Sequence, residues 1–536
     1  MIKFTKFLKV AVHLICLLVA SNLNAQTWPP AGMNGNGTAG NPWQITTIAQ
    51  LQALATYVNA GNGPQTAKVY YKLMNDIACP PSTTRLGWNP IGLYFSSFQG
   101  HFDGNSKVIS NLSINKGTTS HIGLFGYINN AEIKNLGIES CQITGNECVG
   151  SLVGTASGTS TIEDCYMTDG NVSGYRIVGG LIGEAVNDSN VNINNCYTTG
   201  SINGTAEAVG GLVGWIYFAT SNISNCYSLC EVGGHNQVGG LVGSSYNYYG
   251  GIYKSYAGGN VRGRGTIGGL VGALFVGNNV DCYATGNITA IETGSFIGGL
   301  IGINYATATY CYATGNIIGT GEIGGLAGAS PGTLKNSVAA NDTVVGILQS
   351  INRIAGLVYP YSIFSNNYAF DGMVITPNNG EAGISTPIDT LMSFNFYNTG
   401  SNWYQNVPWD IDDMPNSSVI WGICDGETLP FFQWQGFDCG IKVPLYNGNN
   451  EDNSFTVQNG KSTISIFPNP TSNHITISSE EDFHFIEIFD MVGRIVHSQM
   501  NYEKTITLNV SNYGTGMYFV RIISKNGAKV QKFVKK

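Results

Sequence analysis

The side chains that recur here at a spacing able to support chemistry are Cys and Tyr. Cys165-Tyr166, Cys196-Tyr197, Cys226-Tyr227, Cys282-Tyr283 and Cys311-Tyr312 each precede a Gly-rich turn. Ser255-Tyr256 fills the same slot, and Asn367-Tyr368 follows near the end. On stacked strands, Tyr166, Tyr197, Tyr227, Tyr256, Tyr283 and Tyr312 line up along one outer face. Such a row offers apolar faces and hydrogen-bonding tips to sugar rings or to a partner chain. It could equally stabilise the stack and bind nothing, because aromatic neighbours across strands do so without a ligand. In Val280–Thr285, strand alternation turns Cys282 and Ala284 inward and Asp281, Tyr283 and Thr285 outward. Ile193 and Tyr197 break that phase unless their strand bends at an intervening Asn.

Other chemistry finds few residues. No His-Glu-x-x-His zinc signature occurs, and only one of the 7 His, His235, lies within the regular repeats. No Gly-x-Ser-x-Gly elbow occurs, and the Gly-rich runs lack both the fixed Asp of calcium repeats and the helix and Lys of phosphate loops. No catalytic, cofactor-binding or metal residue is therefore assigned. Two carboxylate groups remain as candidates for glycan cleavage, Asp76 and Asp103 with Arg85, and Asp410 with Asp412 and Asp413 beside Trp409. Turn capping and a solvated acidic loop are the simpler readings of each.

The elements that must position these residues repeat as well. Gly-Leu-hydrophobic-Gly returns with its last Gly at 126, 154, 183, 214, 243, 272, 302 and 328, and a degraded copy ends at Tyr359. A period near 30 residues means stacked units, each too small to bury its own apolar face. Val, Ile, Leu and Tyr between Gly turns suit short strands, so the expected fold is an all-β parallel β-helix, one unit per coil. A propeller of antiparallel blades is the main competitor. Thr46–Val58 reads as a helix, with Ile48, Leu51, Leu54, Ala55 and Val58 on one face, able to lid the first coils. Trp403, Trp409, Trp421, Trp434, Phe431 and Phe432 form either a cap on the far end of the solenoid or a sugar-stacking patch.

The chain holds 25 basic and 33 acidic residues, a net charge of −8. Residues 26–460 carry 13 basic and 27 acidic side chains, which disfavours nucleic acid as a partner. Lys3, Lys6 and Lys9 ahead of apolar Val10–Ala20 read as a signal peptide over 1–25, cleaved before Gln26. An exported chain invites disulfides, but cysteines in phase on neighbouring coils are expected as buried free thiols. Cys424 and Cys439, outside the repeats, are expected to bridge.

The repeats resemble the GLUG motif of bacterial surface and secreted proteins, over roughly residues 120–360. That resemblance implies a solenoid on exported proteins, some of them large immunoglobulin-cleaving metallopeptidases, and no catalysis by the repeats. Residues 461–536 read as seven short strands of an Ig-like β-sandwich. They resemble the type A C-terminal sorting domain of the type IX secretion system, through Phe467-Pro468-Asn469-Pro470-Thr471, Gly493-Arg494, Gly514-Thr515-Gly516-Met517-Tyr518 and the basic end Lys529–Lys536. The resemblance implies the type IX machinery as partner and passage across the outer membrane. Removal of the domain then leads to release or to attachment on surface lipopolysaccharide.

The expected organisation is signal peptide (1–25), N-terminal cap and opening coils (26–120), GLUG solenoid (121–360), C-terminal coils and aromatic cap (361–440), linker (441–460) and sorting domain (461–536). The expected function is adhesin-like binding of a glycan or protein, or a structural role. The alternative is a carbohydrate-active enzyme, a polysaccharide lyase or glycoside hydrolase.

Overall fold

The structure is a computed structural model that describes residues 28–30, 32–80, 87–186, 190–347, 350–377, 383–413, 418–435, 464–479, 483–490, 495–500, 503–514, 516–524 and 527–536. The expected signal peptide, Arg85, Cys439, Gly493, Arg494 and Thr515 lie outside the described residues.

Strands between Trp43 and Thr386 pair in parallel, coil upon coil, in the expected β-solenoid, with about 11 turns. A representative coil comprises the strands Tyr166–Gly174, Arg176–Gly179, Ile182–Val186 and Asn192–Asn194. Register is kept by like residues: Val178 sits over Val209, Ile182 over Val213 and Ile193 over Ile223. Each inward position therefore becomes a column of apolar side chains along the axis. The Leu of each Gly-Leu-x-Gly from Leu124 to Leu326 is fully buried in that core. The antiparallel-blade alternative is excluded by the parallel pairing.

The glycines answer to packing between adjacent backbones. A Cβ on Gly183 would lie 2.4 Å from the carbonyl carbon of Cys148, one coil earlier, and one on Gly210 would lie 2.6 Å from the nitrogen of Gly243, one coil later. Side chains at these two positions would force coils apart, so Gly persists there although it weakens isolated strands.

The strand bend needed beside Tyr197 occurs. Asn195 takes a left-handed conformation (φ 53°), as do Asp164, Asn225, Lys254, Asp281, Asn336 and Asn366 at the equivalent corners. Asn and Asp tolerate that region best among residues with side chains. The corner resets the alternation, so Ile193 and Cys196 both face the core while Tyr197 faces out. The cysteines complete the corner. Cys165, Cys196, Cys226, Cys282 and Cys311 each donate a thiol hydrogen bond to the carbonyl two residues earlier, at 3.1–3.3 Å. Ser255 and Ser337 do the same with hydroxyls at 2.7 and 2.9 Å. The slot thus needs a small donor as well as an apolar filler, which is why Ser and Cys interchange there. All five cysteines are free thiols. Cys424 is disulfide-bonded, and its expected partner Cys439 falls outside the described residues.

The N-terminal helix spans Ile48–Tyr57. Thr47 caps it by accepting from Gln50 N, while Gln50 Oε1 accepts in return from Thr46 N at 2.7 Å. Leu51, Leu54, Ala55 and Val58 join Tyr71 and Phe98 in the solenoid core, so this helix lids the opening coils.

The aromatic segment near the C-terminal end of the solenoid corrects one expectation. It does not sit on the open end. Residues 388–413 and 418–435 run back along the side of the stack as a strap. Trp403 packs on Tyr368, Trp421 on Tyr312 and Tyr283, Phe432 on Tyr283 and Tyr256, and Trp434 on Tyr256 and Tyr227. The strap moves toward earlier coils as its own sequence advances.

Seven described strands between Ile464 and Lys535 form two antiparallel sheets, one of three strands and one of four. Ile475, Ile477 and Leu508 of the first share a core with Ile486, Ile488, Val520, Ile522 and Phe533 of the second. This is the expected seven-stranded sandwich. No helix among the described residues is long and apolar enough to cross a membrane.

Candidate functional site: a tyrosine ladder and a polar corner

The six expected tyrosines do form one row on the outer face. Tyr166, Tyr197, Tyr227, Tyr256, Tyr283 and Tyr312 are register partners on successive coils. Their ring centroids are 4.7–5.0 Å apart and their planes are within 7° of parallel. Coil spacing sets this geometry, because neighbouring strands lie about 4.8 Å apart. Each ring face is therefore occupied by the next ring. The first, Tyr166, lies over Gly137, where a Cβ would meet its ring at 2.4 Å. The row presents edges and hydroxyls, not the flat faces on which sugars stack.

The strap divides the row. Tyr256, Tyr283 and Tyr312 are only 2%, 6% and 5% exposed, whereas Tyr166, Tyr197 and Tyr227 are half-buried. Polar contacts fix the covered part. Trp421 donates its indole N–H to Asp281 at 2.9 Å, and Gln435 donates to the Tyr283 hydroxyl at 2.7 Å. Asn336 accepts from Tyr404 N at 2.7 Å. Burial pushes the Asp281 carboxyl up to about 6, against the opposing pull of the Trp421 hydrogen bond and Lys254; Asp410 adds a smaller push upward. Covered tyrosines thus have a partner chain, and it is this protein's own.

Three of the carboxylates considered for cleavage, Asp76, Asp103 and Asp410, accept from backbone N–H groups. Asp103 accepts from Asn105 N and Asn135 and pairs with Lys72 at 3.5 Å, while Asp76 accepts from Val108 N. Asp410 accepts from Ile420 N within the strap. The sequence reading missed a different group. Arg176 is held between Glu147 at 3.0 Å and Glu207 at 3.5 Å, on three successive coils. With Tyr175 and His235 these line a cleft of about 470 Å³. Spacings of 29 and 31 residues, close to the repeat period, were the signal available for this triad.

Beside that triad, where the Gly-Leu-x-Gly strand meets the strand before it, lies a second polar group. Cys148 donates its thiol to Glu184 at 3.2 Å, and His121 Nδ1 lies 2.7 Å from Thr155 Oγ1. Burial raises the Glu184 carboxyl above its usual range and lowers the His121 imidazole below its own. Both shifts favour the uncharged forms. Among the described residues, no group of three or more His, Cys, Asp or Glu is arranged to hold a metal ion.

In the C-terminal sandwich the sorting residues meet at one edge. Asn469 accepts from Val534 N at 2.9 Å and donates to the Lys532 carbonyl at 3.2 Å. Between Pro468 and Pro470, it pins the Pro-rich loop to the last strand. Tyr518 stacks on Phe533 and donates to the Gly514 carbonyl at 3.0 Å, and Gly516 begins the strand that carries it.

Comparison with known proteins fits these parts. Residues 465–536 match the family described as the secretion system C-terminal sorting domain, and residues 145–173 match the GLUG motif. The chain thus carries a type IX sorting domain and, within its solenoid, a GLUG motif. That domain directs export across the outer membrane, to the cell surface or the medium, and implies engagement with the type IX machinery. Halomucin of Haloquadratum walsbyi is 33% identical over 212 residues, 34% of this chain and 2% of that protein. A candidate Gly-rich membrane protein of Evansella cellulosilytica is 34% identical over 132 residues, 24% of this chain and 14% of that protein. The matches thus span a small part of both relatives. A crystal structure of a candidate immunoglobulin A1 protease from Bacteroides ovatus aligns with a TM-score of 0.41 at 20% identity, over 75% of this chain and 94% of that one.

Proposed function

We propose that this protein is an exported, adhesin-like β-solenoid that binds a glycan or protein ligand outside the cell. In this reading residues 1–25 are removed as a signal peptide, 26–440 form the displayed body, 441–460 act as a linker and 461–536 are the export address. Cleavage of the address then releases the body or couples it to surface lipopolysaccharide. The observation that carries the reading is the outer surface of the coils. Uncharged polar residues repeat there in register, as in Asn192 over Asn222 and Asn171 over Ser201. Between 141 and 340 the chain has only 16 Asp, Glu, Lys and Arg. Hydrogen-bonding groups repeated at coil spacing suit an extended ligand with a repeat of its own.

The enzyme alternative has its best group in Glu147, Arg176 and Glu207. Mutual pairing leaves each of these carboxylates engaged with Arg176, so neither is poised to take a proton. The test is an array of neutral and anionic glycans and matrix proteins probed with residues 26–440, alongside a reducing-sugar assay. Selective binding without sugar release is the expected result. Sugar release abolished by Glu147→Gln would replace binding with catalysis, and a folded protein that binds nothing would leave only a structural role.

A further inference from the structure

We infer that the corner where Tyr94 and Phe95 stand beside His121, Tyr127 and Glu184 is a binding site for the pyranose rings of a neutral glycan. This rests on the binding role proposed above and gives it a place and a ligand class.

The first observation is a pair of aromatic rings held out into solvent. Phe95 is 94% exposed and Tyr94 is 59% exposed. They occupy the two central positions of a tight turn closed by reciprocal hydrogen bonds between Leu93 and Ser96, at 3.0 and 2.9 Å. The turn is anchored from below. Ser96 Oγ donates to the Val58 carbonyl at 2.6 Å and accepts from Gly63 N at 3.1 Å, and Asn59 accepts from Gly92 N at 2.9 Å. The end of the N-terminal helix thus clamps a turn whose side chains bury little. Exposed apolar rings on a rigid turn gain the fold nothing through burial, but they offer a ligand preset faces at small entropic cost.

The second observation is what those rings face. Tyr94 lies edge-on to Tyr127 at 5.4 Å and stacks at 25° on the His121 ring at 6.2 Å. Unlike the ladder tyrosines, Tyr94 and Phe95 meet edge-to-face, so stacking takes one face of Tyr94, against His121, and neither face of Phe95. Behind them His121 and Thr155 are joined at 2.7 Å, and Glu184 takes a thiol hydrogen bond from Cys148, which leaves carboxyl capacity over. A platform for the apolar face of a sugar stands beside groups that donate to and accept from its hydroxyls.

Charge selects the class. Glu184 and nearby Glu147 are acidic, and Arg176 is taken up by Glu147 and Glu207. A uronate, sulfate or phosphate would find no uncommitted cation among these residues, and Glu184, held toward its uncharged form by burial, offers it no counter-charge. A neutral sugar hydroxyl donating to Glu184 has no such penalty.

The test uses the full-length protein, with cellohexaose, laminarihexaose, xylohexaose and mannohexaose as neutral probes and polygalacturonate as the anionic one. Binding is read by saturation-transfer NMR and calorimetry. The double variant Tyr94→Ala, Phe95→Ala should lose about tenfold or more in affinity for the bound neutral probe, the scale expected of central aromatic anchors. It should keep its melting temperature, since both rings are exposed. Glu184→Gln should weaken the same probe several-fold, and Tyr361→Ala, far from the corner, should not. Unchanged affinity in the double variant overturns the site and leaves the binding role standing. Preference for polygalacturonate overturns the ligand class. Failure of the unaltered protein to bind any neutral probe overturns the inference, and silence across the wider array of proteins and glycans overturns the binding role with it.

Discussion

Tyr197 and Tyr283 occupy the same slot of the same repeat, yet they live in different environments. Both follow a cysteine and a left-handed corner, and both stack on neighbours at under 5.1 Å. Tyr197 is half-buried on an open flank, whereas Tyr283 is closed over by Trp421, Phe432 and Gln435. Stacking comes from the repeat, and burial comes from the strap. The difference teaches that a repeated residue has one local role and as many tertiary roles as there are things packed on it. The corner residues differ in the same way: Asn195 is exposed on the open flank, and Asp281 is half-buried beneath Trp421.

The strongest break of this comparison is Trp421→Ala. Trp421 is fully buried among Tyr283, Tyr312, Trp409 and Phe432. Removing such a ring costs about 3–5 kcal/mol. Because solenoid contacts are mostly between neighbours, the loss should fall on the strap first. Limited proteolysis should open 388–435 while the coils stay protected; uniform digestion would mean the strap and stack unfold as one unit.

A smaller contrast comes from the tyrosines themselves. Tyr283→Ser should destabilise by about 2–4 kcal/mol through lost burial under the strap, and Tyr197→Ser by about 1 kcal/mol through lost stacking. Denaturant melts of the two variants compare them directly. Equal losses would show that the strap contributes little to the covered half.

The corner offers a pH test. The folded-state Asp281 carboxyl is raised to about 6, first by burial. Its contribution to stability is therefore complete below its unfolded value near 4 and is lost as pH rises through about 6. Asp281→Asn removes that dependence and can still accept from Trp421. Asn already serves at the equivalent corners 195, 225, 336 and 366. The variant should match the parent near pH 4 and exceed it at pH 7 by on the order of 2 kcal/mol. Thermal melts across that range decide it; parallel pH profiles would mean that Asp281 is not buried by the strap.

The smallest effect is expected at Cys226→Ser. Ser255 and Ser337 already supply the same corner hydrogen bond, so the change should cost within about 1 kcal/mol. Cys226→Val keeps the apolar bulk, loses the donor and should cost more. The reverse order would make the slot a packing site alone.

Much of this was legible because a repeat states its own environment many times. The period, the parallel stack, the inward Leu column, the free thiols and the seven strands of the sorting sandwich follow from alternation and spacing, which act over a few residues or one coil. The Ile193–Tyr197 phase conflict was visible in the sequence, and the left-handed Asn195 that resolves it belongs to a residue type suited to that bend. The open and covered halves of the ladder were not legible. Trp421 meets Asp281 across 140 residues and Gln435 meets Tyr283 across 152, and nothing local records either pairing. Similarly, Tyr94 and Phe95 look like ordinary loop residues until Ser96 is seen clamped to Val58, 38 residues away. Sequence periodicity determined the scaffold, because each coil is held by neighbours like itself. Tertiary structure alone decided which faces of that scaffold remain available, because a non-repeating segment docks wherever apolar area and hydrogen-bond partners happen to match it.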